Sequence, residues 1–293
     1  MSQVKVGIIG GSGLGQALCA ERHGRPTEVA TPFGNPSGAL VQTDWGRTPV
    51  VLLNRHGPGH TIGPSGVNYR ANIFALKALG CTHVIASGAV GSLRERIRPR
   101  DLVIPDQIID KTTRRVPTFF EEYFTAHVEL AQPFCPVLRG HLLACAAAAD
   151  TTVHDGGTYV CMEGPAFSTR AESDMHRAWG GDLIGMTVMP EARLAREAEL
   201  AYALVALSSD YDCWRPHPGD LDSHELLKEI IGHLQATTAN AVELIKAAVE
   251  RFGEIADAAS PAHSALELAI WSDRAHIAPA AREHYGPLVA KYL

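Results

Sequence analysis

Val4-Lys-Val-Gly-Ile-Ile-Gly-Gly-Ser-Gly-Leu-Gly15 begins as an apolar run and stops at a glycine-rich turn. Its apolar residues do not alternate with polar ones, and near-continuous apolar character marks a strand buried on both faces. Runs of the same kind recur at Val50 to Leu53, His83 to Ala86, Asp101 to Ile104, Leu183 to Val188 and Leu200 to Leu207. Helical periodicity lies between several of them, at Asn68 to Leu79, Cys135 to Ala149, Arg170 to Trp179 and Pro190 to Ala198. The order predicts an α/β fold with a central mixed, partly parallel β-sheet flanked by helices. From Asp222 to Phe252 a long amphipathic pattern through Leu226, Ile230, Leu234, Val242, Ile245 and Val249 predicts a helix docked on that sheet. The expected organisation is one domain over residues 1–252 and a helical extension over 253–293.

Composition narrows the function classes. The 293 residues are 46% hydrophobic and 20% charged, with a formal net charge of -6. The richest basic stretch, Arg94 to Arg100, is diluted by Glu95 and Asp101, so no footprint for a nucleic-acid backbone is present. Six cysteines are scattered without a C-x-x-C pair or a histidine at finger spacing, which argues against a structural zinc and against a disulfide framework. No apolar run reaches the ~18 residues of a membrane span, and the chain enters its first strand without a basic, signal-like leader. A soluble cytoplasmic enzyme without a membrane partner is expected. The aromatic cluster Phe119-Phe-Glu-Glu-Tyr-Phe124 reads as core, or as a surface that meets a neighbouring subunit.

In open α/β sheets ligands settle at the carboxyl ends of strands. The glycine turn is no dinucleotide fingerprint: G-x-G-x-x-G counted from Gly11 meets Gln16, and counted from Gly13 it meets Leu18. It remains a turn whose backbone N–H groups and Ser12 hydroxyl approach an anion, or simply a tight turn. Arg55-His56, before the Gly57-Pro-Gly-His60 loop, offers a guanidinium fork with a second positive or donor group. Ser87-Gly88-Ala89 adds backbone donors, and together these places make a phosphate-sized anion site without a metal. Glu163-Gly-Pro-Ala-Phe-Ser168 puts the Phe167 face beside Ser168, and Met186-Thr187 supplies an apolar contact and a hydroxyl. Asp210 and Asp212 stand at i, i+2 where the last apolar run ends. In a strand both would lean to one face, suiting a ligand with two hydrogen-bond donors such as an adenine protonated at N7; the alternative is a pair that only ends a strand and caps a turn.

In this order the loops resemble those of the purine nucleoside phosphorylase superfamily and, within it, the trimeric 5'-methylthioadenosine phosphorylases. The resemblance is carried by Val6 to Leu14, Thr31-Pro-Phe-Gly34, Arg55-His-Gly with His60-Thr61, Val67-Asn-Tyr-Arg-Ala-Asn-Ile73, Gly80-Cys-Thr-His-Val-Ile85, Glu163 to Ser168, Ala171-Glu-Ser173 and Asp210-Tyr-Asp-Cys-Trp214. It spans residues 4 to about 250. It implies phosphate at Ser12, Arg55, His56, Ala89 and Thr187, with ribose at Met186 and the base between Phe167 and Ser168. It further implies Asp210 at purine N7, Asp212 at the 6-amino group, and His127 reaching the 5' end of the sugar in the next subunit of a homotrimer. No cofactor is implied, inorganic phosphate being a co-substrate.

The chain departs from that pattern in three places, one of them the tail after Gly253, which matches weakly. Gly88 stands where relatives often carry Thr or Asn, so one side-chain contact to phosphate or sugar is missing. The stretch Asp220-Leu-Asp-Ser-His224 falls where relatives place apolar residues against the 5'-methylthio group, and Ser223 makes that pocket more polar, which lets adenosine compete; Leu226 is expected to contact the substrate as well. The expected reaction is phosphorolysis of 5'-methylthioadenosine, with Asp210 protonating or hydrogen-bonding N7 and phosphate as nucleophile. The alternatives are a purine nucleoside phosphorylase of relaxed 5' specificity and a non-catalytic nucleoside sensor.

Overall fold

Strand β1, Val6–Gly10, is buried along its whole length and pairs in parallel on both sides, with β4 (Thr48–Asn54) and β5 (His83–Ser92). The computed structural model describes residues 4–11, 14, 24–215 and 223–293, and the side chains of Ser223, Leu226 and Leu227 lie outside that description. Among the described residues eleven strands form one sheet. Beyond β4 lie β3 (Leu40–Trp45) and β2 (Arg25–Thr27), both antiparallel additions. On the other side β5 carries two neighbours. Antiparallel β10 (Leu183–Gly185) leads to β9 (Thr158–Cys161) and β7 (Gln107–Asp110). Parallel β11 (Ala201–Asp210) leads to β6 (Leu102–Ile104) and β8 (Val153–Asp155). The sheet is mixed and largely parallel, as its apolar runs predict.

Helices cover both faces. Helix α1, Tyr69–Ala78, is capped by the Asn68 side chain, and α2 spans Pro136–Ala144. Helix α3, Arg170–Ala178, begins with a Thr169–Glu172 capping box. Helix α4 spans Val188–Glu197 and the long α5 Ser223–Glu250. One change to the sequence reading matters here. The apolar stretch Leu183 to Val188 is not one strand: β10 ends at Gly185 and Thr187 stands at the N-cap of α4. The segment after Glu250 forms short helical turns and α6 (Ala280–Tyr285), and Leu266, Ala281, Tyr285, Leu288 and Val289 join the same core cluster as α1. Phe119, Phe120 and Phe124 are buried in that cluster, with Phe120 and Phe124 packed on the Tyr285 ring.

The strand ends place the site. β5 and β11 run side by side, and the register slips between Ser208 and Asp210 so that Asp210 lies opposite Gly91. Bulges of this kind re-aim a side chain at the rim of a sheet.

Candidate active site

A cavity of about 780 Å³ opens over the carboxyl ends of β1, β4, β5, β10 and β11. Its two chemical ends are both set on β5. A Cβ built on Gly88 would lie 3.4 Å from Thr187 Oγ1, while one on Gly91 would lie 3.1 Å from Asp210 Oδ1 and 3.2 Å from Asp212 Cβ. Three residues along a strand are roughly 10 Å. That separation suits a ligand with an anion at one end and a base at the other.

At the Gly88 end, Arg55 is fully buried and held by a forked pair with Glu191, Nε to Oε2 and Nη2 to Oε1 both at 2.7 Å, while Nη1 donates to the Ser87 carbonyl at 2.7 Å. Tyr202 Oη donates to the same Glu191 carboxylate at 2.8 Å. Burial alone would lower the Arg55 pKa, but Glu191 outweighs it and the guanidinium stays charged. A guanidinium has five N–H donors, so one on each Nη remains for a ligand. Gly11 is glycine by necessity: a Cβ there would meet the Ser87 carbonyl at 2.7 Å and Arg55 Nη1 at 3.0 Å. Thr187 lines the same corner, and its hydroxyl makes no capping bond to α4.

His56 differs from the positive or donor group expected of it. Nδ1 lies 2.8 Å from the Ile62 carbonyl oxygen, and burial, helped by Arg55 and by the His60 ring, pushes the imidazole down to about 4. The His60 ring stacks on it with centroids 4.3 Å apart. The ring is therefore neutral at pH 7 with its proton on Nδ1.

At the Gly91 end, Asp210 Oδ2 accepts from Ser209 Oγ and Oδ1 from the Asp212 backbone N–H, both at 2.7 Å. Strand alternation does not bring the two acids together, because Asp212 lies past the strand in a turn at φ 50°, a left-handed conformation that Asp tolerates. Burial pushes the Asp212 carboxyl up and the charge of Asp210 adds to the rise, against the nearby Ser173 and Ser168 hydroxyls. Its Oδ2 is buried without a partner at hydrogen-bonding geometry. The Ser173 hydroxyl, also buried without a bond at that geometry, is a donor beside it.

The remaining wall comes from three loops and α5. Phe167, 85% exposed, and half-buried Ser168 line the cavity beside Met186, Ala89 and Gly88. Arg115, which sequence reasoning overlooks, ties this wall together. It donates to the carbonyls of Met186 at 2.6 Å and Glu163 at 2.8 Å, and to Glu163 Oε1 at 3.1 Å. Burial would raise the Glu163 carboxyl, but the Ser65 hydroxyl, the N–H groups of Thr113 and Arg114, and Arg115 hold it at about 2. Ile230 and Leu234 of α5 also line the cavity, so the apolar stripe expected to dock on the sheet is partly a ligand wall. Ser12 and the side chains of Ser223 and Leu226 lie outside the described residues. His127 does not line the cavity of its own chain: it is exposed, 4.8 Å from the ring of Trp271. Among the described residues no group of three or more His, Cys, Asp or Glu side chains is arranged to hold a metal ion, and no helix is long and apolar enough to cross a membrane.

Residues 5–251 match the family model of the phosphorylase superfamily. The chain is 46% identical over 293 residues to an S-methyl-5'-thioadenosine phosphorylase of Thermosynechococcus vestitus, covering 99% of each. It is 45% identical over 294 residues to the protein of that name in Geobacter sulfurreducens, covering 100% of each. Among solved structures it resembles a methylthioadenosine phosphorylase sourced from an antarctic soil metagenomic library, with TM-score 0.88 and 43% identity over 98% of this chain and 99% of that one. It also resembles a variant of the adenosine/methylthioadenosine phosphorylase of Schistosoma mansoni in complex with methylthioadenosine, with TM-score 0.82 and 36% identity over 92% of this chain and 99% of that one.

Proposed function

The chain belongs to the phosphorylase superfamily, and from that premise we propose that it cleaves S-methyl-5'-thioadenosine with phosphate to adenine and 5-methylthioribose 1-phosphate, as a pentosyltransferase. The observation that carries this reading is the pairing of the Arg55 and Thr187 corner with the Asp210 and Asp212 corner in one cavity. As the glycosidic bond breaks, positive charge grows on the ribosyl ring and negative charge on the purine. A phosphate anion beneath the sugar and a proton shared between Asp210 and N7 both favour that transition state over the ground state. Asp212, which lines the cavity beside Asp210, supports an acceptor for the 6-amino group. Ala89, Gly88 and Met186 line the phosphate and ribose floor, and Ser168 and Phe167 flank the base, with Phe167 covered once a base stacks on it. The reaction uses phosphate as co-substrate and no cofactor.

The same proposal includes a homotrimer in the cytoplasm. His127 sits outside its own cavity among exposed apolar groups, Trp271 at 74% and Leu268 at 88% exposure, and exposed apolar clusters mark association surfaces. In the trimer His127 would close the 5' end of a neighbour's sugar site.

Base recognition gives the test. A 6-oxo base presents a carbonyl where Asp212 needs a donor, so 5'-methylthioinosine is expected to react at least about 100-fold more slowly than methylthioadenosine, the cost of facing two acceptors. Asp212→Asn, which can donate, should narrow the gap. Equal relative rates on the two bases in both proteins would remove the base assignment.

A further inference from the structure

We infer that His56 makes the anion corner selective for an oxyanion that carries a proton, monohydrogen phosphate, and against sulfate. The inference rests on the phosphorolytic reading and concerns which species of anion the site takes.

Nδ1 of His56 faces the Ile62 carbonyl at 2.8 Å, and a carbonyl only accepts, so that nitrogen carries the ring proton. A second proton on Nε2 is opposed from both sides. The Arg55 guanidinium belongs to the preceding residue and the His60 ring stacks at 4.3 Å, while His56 as a whole is 5% exposed. Glu191, the acid that holds Arg55, has both oxygens bound to that guanidinium and makes no hydrogen bond to the imidazole. Among the described residues Nε2 has no hydrogen-bond partner, and His56 lines the cavity. Among the described residues the corner thus offers donors from Arg55 and Thr187 and a bare lone pair from His56.

Monohydrogen phosphate matches that set, with deprotonated oxygens toward the donors and its P–OH toward Nε2. Sulfate has the same size and charge and no proton above very acid pH. Its oxygen would face the Nε2 lone pair unless the imidazole first took up a proton. A site built to hydrogen-bond a hydroxyl rejects analogues that lack it far more strongly than shape alone would.

The experiment measures sulfate as a competitive inhibitor against phosphate, with methylthioadenosine as the second substrate, from pH 5.5 to 8.5. Sulfate binding that requires a proton on His56 weakens about tenfold per pH unit over this range, and near pH 7.5 sulfate binds at least about 100-fold more weakly than phosphate. The phosphate constant, referred to monohydrogen phosphate, stays nearly level. His60→Ala keeps the sulfate slope, whereas His56→Gln, whose amide donates at any pH, flattens it. Phosphorolysis with a sulfate constant independent of pH and close to that of phosphate overturns the inference alone. Absence of phosphate-dependent turnover overturns the phosphorolytic reading and the inference with it.

Discussion

Asp210→Asn is expected to lower kcat by about 10²- to 10⁴-fold, the usual share of general-acid help at a leaving group. The substitution keeps the size and planarity of the side chain, and its amide can still hydrogen-bond N7. It has no proton to give as charge collects on the purine. Ser209 Oγ and the Asp212 N–H fix the carboxylate at 2.7 Å each, so the orientation of Asp210 is set before substrate arrives. The loss should therefore fall on kcat, with the KM for phosphate little changed. Steady-state kinetics beside a thermal melt separates this from a folding defect. A variant with wild-type kcat would remove Asp210 from the chemistry.

Glu191→Ala should destabilise the fold by about 3–5 kcal/mol, the range for stripping one partner from a buried ion pair. Arg55 and Glu191 are both fully buried, and their fork is closed by the Ser87 carbonyl and Tyr202 Oη. Without the carboxylate a guanidinium is left uncompensated inside the sheet. Chemical denaturation measures the loss. Where the alanine variant does not fold, Glu191→Gln gives a second reading, because it keeps the shape and drops the charge. The KM for phosphate should rise in the glutamine variant, since Arg55 is no longer held with its two remaining N–H groups in place. Unchanged stability in Glu191→Ala would mean that the pair contributes nothing net.

Much of this architecture is legible in single runs of residues. The strands buried on both faces, β1, β4, β5 and β11, announce themselves as unbroken apolar segments. β7 and β8 do not, because Gln107–Asp110 and Val153–Asp155 are short, partly exposed and polar. The Leu183 to Val188 stretch misleads for a different reason. Its residues are buried or nearly so whether in strand or helix, and hydrophobicity does not mark the change at Thr187.

The site follows the same division. Arg55, Thr187 and Asp210 stand at strand ends or helix starts, and those places are readable, whereas Gly88 lies inside β5. Glu191 lies 136 residues from Arg55 in the chain, and nothing local to either announces the pair. The tautomer of His56 depends on the Ile62 carbonyl, a backbone group without a sequence signal. Asp212 joins Asp210 through a left-handed turn rather than through strand alternation.

The central claim is that phosphate attacks the sugar as the base leaves, and the rate of adenine release from methylthioadenosine at increasing phosphate tests it most directly. The account predicts no release without phosphate, a saturable rise with it, and one sugar phosphate formed per adenine. Adenine released equally well without phosphate would make water the nucleophile, and binding of both ligands with no release would make the chain a sensor; either result contradicts the account.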